Sequence, residues 1–173
     1  VENLIRNDLT QALATAIDLG ALAGTGSSGQ PTGISGTSGI NTTTFAAATP
    51  TWAEIVAMES AVANDNALNG SLGYICRPAD FGTLKTVEKA SGTAQFVVNP
   101  DNSMNGYNVV RSNQVTSGDF YFGNFADLLI GMYGGLDITV DPYALSTSGG
   151  VRIVALQTVD VAVRHAVSFC KSS

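Results

Sequence analysis

The spacing of apolar residues changes partway along this chain, and that change restricts the fold more than any other feature. At the start, Val1, Ile5, Leu9, Ala12, Leu13, Ala16 and Ile17 fall on one arc at about 100° per residue. Asn3, Asn7, Thr10, Gln11 and Asp18 take the opposite face, which predicts an amphipathic helix from Val1 to Leu22. From Gln95 the period becomes two. Leu136, Ile138 and Val140 alternate with Asp137, Thr139 and Asp141, the pattern of a half-solvated strand. A chain that opens in helix and closes in strand is α+β, and the expectation is helices early with antiparallel strands late.

Local signals fill the middle. Gly24 to Ile40 is rich in Gly, Ser and Thr and reads as an irregular loop. The β-branched stretch Asn41 to Phe45 predicts a short strand. Thr51 and Glu54 have the spacing of a capping box, so a helix starts there with Ile55, Met58, Ala61 and Val62 facing inward. Leu72 to Cys76 reads as a buried strand. Pro78 suits the first turn of a third helix, with Phe81, Leu84 and Val87 inward. Asn105-Gly106 marks a hairpin turn, Phe120 and Phe122 belong to a strand, and Leu128 to Tyr133 to another that turns at Gly134-Gly135. A last strand-rich run extends from Val151 to Phe169.

Composition narrows the function. Only 13% of the 173 residues are charged, against roughly a quarter in an average soluble domain, so either much of the surface faces other subunits or the chain is part of something larger. The net charge is −6 and the eight Lys and Arg stand singly along the sequence, which argues against direct nucleic-acid binding, and so against any specific contact. No run reaches the ~18 consecutive apolar residues of a membrane span. Cys76 and Cys170 are too sparse for a disulfide framework and are expected to be buried free thiols. There is no initiator Met, and helical periodicity begins at Val1, which predicts a fragment missing its N-terminal part.

No motif supports catalysis or a cofactor. Gly24, Gly26 and Gly29 match the spacing of a dinucleotide-binding turn, but a helix precedes them where a strand is needed, and Pro31 follows where the phosphate-binding helix should begin. His165 is the only histidine, so no His-based metal cluster exists, and a nucleophile pairing with Ser168 or Cys170 and Asp160 would lie within one strand-rich segment. Asp137, Thr139 and Asp141 share a strand face but lack the curling loop that calcium needs. No catalytic, cofactor or metal residue is expected, nor a small-molecule substrate.

Four stretches occur in order: Ala21-Leu22-Ala23-Gly24-Thr25-Gly26 with Gly29-Gln30-Pro31-Thr32-Gly33-Ile34; Tyr74-Ile75-Cys76-Arg77-Pro78 with the helix carrying Leu84; Met104 to Val110; and Gly118 to Phe125. Together they resemble the major capsid protein of tailed phages, the Hong Kong 97 type, with Asn108 in place of that family's proline and Asn124 in place of its usual aspartate. The resemblance implies a peripheral lobe, residues 1–45 and 134–160, holding a spine helix and a β-hairpin. It also implies an axial lobe of sheet flanked by helices, residues 46–133 and 161–173.

The implied function is a structural subunit of a phage or prophage capsid, located in the virion, with copies of itself as partners in pentamers and hexamers around DNA. Candidate intersubunit contacts are Gly24, Gly26, Gln30, Pro31, Gly33 and Ile34, with Asp141 and Tyr143 at a second tip. Without the family's N-terminal arm and extended loop, the chain is expected to be monomeric or weakly associating. The stretch Asp141 to Gly150 holds no Asn, so the cross-linking seen in some members is not expected. An encapsulin-like compartment shell, which shares the fold, and a surface adhesin or fibre domain are the alternatives.

Overall fold

The computed structural model describes residues 2–172. Val1 therefore lies outside the described residues, and the opening helix, α1, runs Glu2–Ala23. Two further helices follow, α2 (Trp52–Asn64) and α3 (Pro78–Leu84). The strands are β1 (Asn41–Thr43), β2 (Leu72–Cys76), β3 (Asn108–Arg111), β4 (Phe120–Asn124), β5 (Leu128–Asp141), β6 (Arg152–Val163) and β7 (Phe169–Ser172).

Five strands form one sheet in the order β1-β7-β4-β2-β3, and β5 with β6 forms a separate ribbon. The expectation of antiparallel strands late in the chain holds for β4 with β7 and for β5 with β6, and is corrected for two other pairs. β1 runs parallel to β7 and β2 parallel to β3, while β4 is antiparallel to both β2 and β7. Parallel neighbours need a long crossover; α3 and the following segment supply it between β2 and β3.

The sheet is buried on both faces because apolar residues alternate across it. Phe120 and Phe122 of β4 point one way, with Tyr74, Cys76 and Cys170, into a cluster closed by Ile55, Met58 and Val62 of α2 and by Phe81 and Leu84 of α3. Tyr121 and Phe169 point the other way and meet Leu22 of α1, Ile34 and Val115. Each of the fully buried large side chains contributes roughly 1.5–3 kcal/mol by leaving water. Both cysteines are free and buried.

The first turn of α2 is held as its capping box implies. Glu54 Oε2 accepts from the Thr51 amide at 2.7 Å, and Thr51 Oγ1 accepts weakly from the Glu54 amide at 3.4 Å. Glu54 also accepts from the Ala46 amide at 2.7 Å, and these amides, Ala46 first, hold its carboxyl below the usual carboxylate range.

Two turn assignments change. Asn105 and Gly106 have φ of 52° and 81° and close a two-residue turn, with Met104 and Tyr107 exchanging both backbone bonds at 3.0 and 2.9 Å. The strand that follows joins β2 in parallel instead of folding back as a hairpin partner. Gly134-Gly135 is no turn at all: β5 runs through it as a bulge. Tyr133 faces Thr158 and Asp137 faces Leu156, so β5 fits two more residues than β6 into that interval. Gly134 takes φ 74°, a conformation that costs glycine nothing. Extra residues sharpen twist locally, and the even number keeps each side chain on its original face.

Candidate assembly surface

α1 spends little of its length in the core. Ala21 and Leu22 at its C-terminal end are buried, whereas Ile5, Leu9, Leu13 and Ile17 are only half-buried, and Ala12 and Ala16, expected on the inner arc, are exposed. The stripe rests against the β5–β6 ribbon and leaves a groove on each side. One, about 440 Å³, is lined by Leu13, Ile17, Ile130, Met132 and Leu136 over Gln157. The other, about 180 Å³, is lined by Leu13, Ala16, Ile17, Pro31 and Val159.

The ribbon has apolar side chains in water on both faces. Met132 is 65% exposed, Tyr133 64%, Leu156 61% and Val140 58%. A monomer rarely presents so much contiguous apolar surface unless another molecule covers it.

The loop after α1 is more ordered than its composition suggests. Ser28 and Gly29, with φ of 54° and 78°, form the tip of a miniature hairpin. The Gln30 amide donates to Ser27 O at 3.0 Å, the Gly26 amide to Pro31 O at 3.1 Å, and Thr25 bridges Thr32. The hairpin folds back onto the helix end: the Gly33 amide donates to Gly24 O at 3.0 Å. A Cβ on Gly33 would lie 2.6 Å from both Gly20 O and the Gly24 nitrogen, so only glycine permits this approach.

The candidate contact residues consequently divide. Gly24, Gly33 and Ile34 are buried and taken up by the chain's own packing. Gly26 and Gln30 are exposed and Pro31 is half-buried against Gly20. At the second tip, Asp141 Oδ1 accepts from the Tyr143 and Ala144 amides at 2.9 and 3.2 Å, and this turn leaves Tyr143 83% exposed.

The residues weighed for catalysis do not converge. Ser168 Oγ donates to Asp127 at 2.8 Å, in a buried network where Asn124 Nδ2 donates to the same carboxylate oxygen at 3.0 Å and Asn124 Oδ1 accepts from the Ser71 amide at 2.9 Å. Burial pushes the Cys170 thiol up and Cys76 up to about 12, the opposite of what a nucleophilic thiolate requires. His165 is exposed. Among the described residues no group of three or more His, Cys, Asp or Glu could hold a metal ion, and Asp137, Thr139 and Asp141 lie along a strand. The glycines 24, 26 and 29 belong to the hairpin and precede no helix that could receive a pyrophosphate. Sequence reading missed the Asn124–Asp127–Ser168 network, although Asn124 had been noticed as a departure from aspartate.

A sequence model of the phage capsid family matches residues 1–173. The chain belongs to that family. It is 35% identical over 169 residues to a protein named major capsid protein from Halomonas phage phiHAP-1, covering 98% of this chain and 28% of that protein. The backbone superimposes on the capsid of the native GTA particle with a TM-score of 0.73 at 17% identity, covering 99% of this chain and 65% of that one. A structure from Gordonia phage Cozz gives 0.71 at 16% identity, with 99% and 62% covered. The chain thus spans under two-thirds of each of these three proteins. At such low identity the superpositions establish the fold alone: this capsid-family chain has the α+β phage major capsid fold.

Proposed function

We propose that this chain is the shell-forming part of a phage major capsid protein, located in the virion, whose work is contact between copies and not catalysis. Membership of the phage capsid family supports the structural role. The single observation that carries the contact role is the α1–ribbon flank, where Leu13, Ile17, Ile130, Met132 and Leu136 line a groove that the chain itself does not fill. Copies related by cyclic symmetry, in pentamers and hexamers, would each cover the next one's flank. A few tens of Å² of apolar area covered on each of several residues adds to several kcal/mol at about 25 cal/mol per Å². Gly26, Gln30, Pro31, Asp141 and Tyr143 remain the contact candidates at the two tips.

The division into lobes follows the two sheets. α1 and the ribbon would form the peripheral lobe, and the five-stranded sheet with α2 and α3 the axial lobe. β1 pairs with β7, so residues 41–43 go with the axial side.

The test is electron microscopy of particles assembled from the complete gene product, unsubstituted and carrying Met132→Asp with Leu136→Asp. Closed shells are expected from the first, and unassembled but folded subunits from the second. Shells in which the α1–ribbon flank faces only solvent would overturn the proposal.

A further inference from the structure

The eight cationic side chains stand apart in sequence, yet the fold draws four of them together. Arg77 precedes α3 directly after Cys76, whose register partner across the parallel β2–β3 pair is Arg111. The Arg111 guanidinium carbon and the Lys85 ammonium each lie 5.1 Å from the centroid of the Phe81 ring. Lys85 and Lys89 then line one open groove of about 440 Å³, with Gln95, Phe96 and Asn99. Lys89 Nζ sits 4.3 Å from the Trp52 ring centroid and donates to Asn99 Oδ1 at 3.2 Å.

Two physical features make this grouping more than a count. Aromatic rings hold three of the four charges in place without neutralising them. Among the described residues none of the four is ion-paired, while Lys171, elsewhere on the sheet, pairs with Asp119 at 3.5 Å. The acids nearby are engaged with backbone amides: Asp80 accepts from Gly118 at 3.0 Å, Glu88 from Gly92 at 2.7 Å, and Asp101 from Ser103 at 3.0 Å. Residues 77–111 contain four Lys or Arg and three Asp or Glu, whereas the rest of the chain has four against eleven, so its net charge of −6 is unevenly spread.

We infer that the surface joining α3, the end of β3 and the groove at Lys85 and Lys89 is a sequence-independent contact for the phosphate backbone of nucleic acid. Cations held in place and free of ion pairs suit contact with phosphates, which positions a nucleic acid without reading its sequence. The acidic remainder does not forbid it, because charges more than about 10 Å away are largely screened at 0.1 M salt. This reverses the expectation drawn from scattered lysines and arginines, since clustering is a property of the fold.

The test is fluorescence anisotropy with a labelled DNA duplex of arbitrary sequence, using the 173-residue chain. The dissociation constant is expected on the order of 10–100 μM at low salt. With three to four phosphates neutralised, affinity should fall about 40- to 150-fold between 50 and 200 mM salt. Two unrelated duplex sequences should bind within twofold of each other. Lys85→Glu with Arg111→Glu should lower affinity more than tenfold; Lys85→Glu alone should lower it at least fivefold, and Arg152→Glu, a charge change equal to that single substitution but on the ribbon, less than threefold. Thermal melting confirms that each variant is folded; if the double variant is not, Arg77→Gln with Lys85→Gln replaces it, with at least a threefold loss expected. No salt-dependent binding, an equal loss with Arg152→Glu, or tighter binding of polyglutamate than of DNA would overturn the inference, the last pointing to an acidic protein partner.

Discussion

Asn124→Asp is a one-atom exchange of amide nitrogen for oxygen, and the structure assigns it a pH-dependent cost. Asn124 Nδ2 donates to Asp127 Oδ2 at 3.0 Å, in a buried setting where Ser168 donates to the same oxygen. Aspartate cannot donate there when ionised. Two carboxylate oxygens at that separation would repel by as much as about 5 kcal/mol at an effective dielectric constant near 20. Holding a proton on one of them at pH 7.5 costs a similar amount, since an unfolded aspartate ionises near pH 3.9 and each unit is worth about 1.4 kcal/mol. The folded variant therefore takes up a proton that the unfolded chain releases. Its added group has a folded value raised above the unfolded one, so the stability it contributes is present at low pH and lost as pH rises. Urea unfolding of both proteins from pH 5 to 7.5 should show the variant losing up to about 1.4 kcal/mol per pH unit relative to the parent, until the folded value is passed. A difference that stays constant within about 0.5 kcal/mol across that range, the usual tolerance for such comparisons, would refute the reasoning.

Other substitutions have equally definite expected outcomes. Gly33→Ala should cost at least about 2 kcal/mol in urea unfolding because its methyl group would meet backbone on two sides, whereas Gly29→Asn, with open space around it and a left-handed φ that Asn tolerates, should cost under about 1 kcal/mol. Thr51→Ala should lower the stability of α2 by about 1 kcal/mol. Glu54→Gln should be destabilising at pH 7, with the deficit shrinking as pH falls below the ordinary carboxylate range, because a depressed carboxyl contributes only while ionised. Deleting Gly134 and Gly135 removes an even number of residues, so the ribbon should re-register without exchanging faces; thermal melting within a few degrees of the parent is expected, and a collapse of the transition would contradict the register.

The elements read from sequence were those whose signals are local. Thr51 with Glu54 announced α2, Pro78 announced α3, and the alternation around Phe120 and Phe122 announced β4, since caps, ring constraints and periodicity act over a few residues. What escaped depends on partners far along the chain. Nothing near Asn41 states that it will lie parallel to Cys170, and nothing in Gly134-Gly135 separates a bulge from a turn until β6 fixes the register. The surface was legible in outline, through the scarcity of charge, but its composition was not. Ile34 and Gly33 looked like exposed loop and proved internal, because a two-residue tip at Ser28 and Gly29 folds the segment back on the helix end. Arg111 looked isolated until strand pairing set it opposite Cys76, at the entry to α3.

The position of β7 in the sheet has a kinetic meaning. This four-residue strand lies between β1 and β4, so the earliest strand of the sheet acquires its neighbour only when residues 169–172 arrive. During synthesis β4 would leave the ribosome with one edge satisfied by β2 and the other bare, a template for stray strands from other nascent copies. The sheet is therefore open to stray pairing until residues 169–172 are threaded home. A version ending just before Phe169 should aggregate more than the 173-residue chain under the same expression conditions, as read by light scattering.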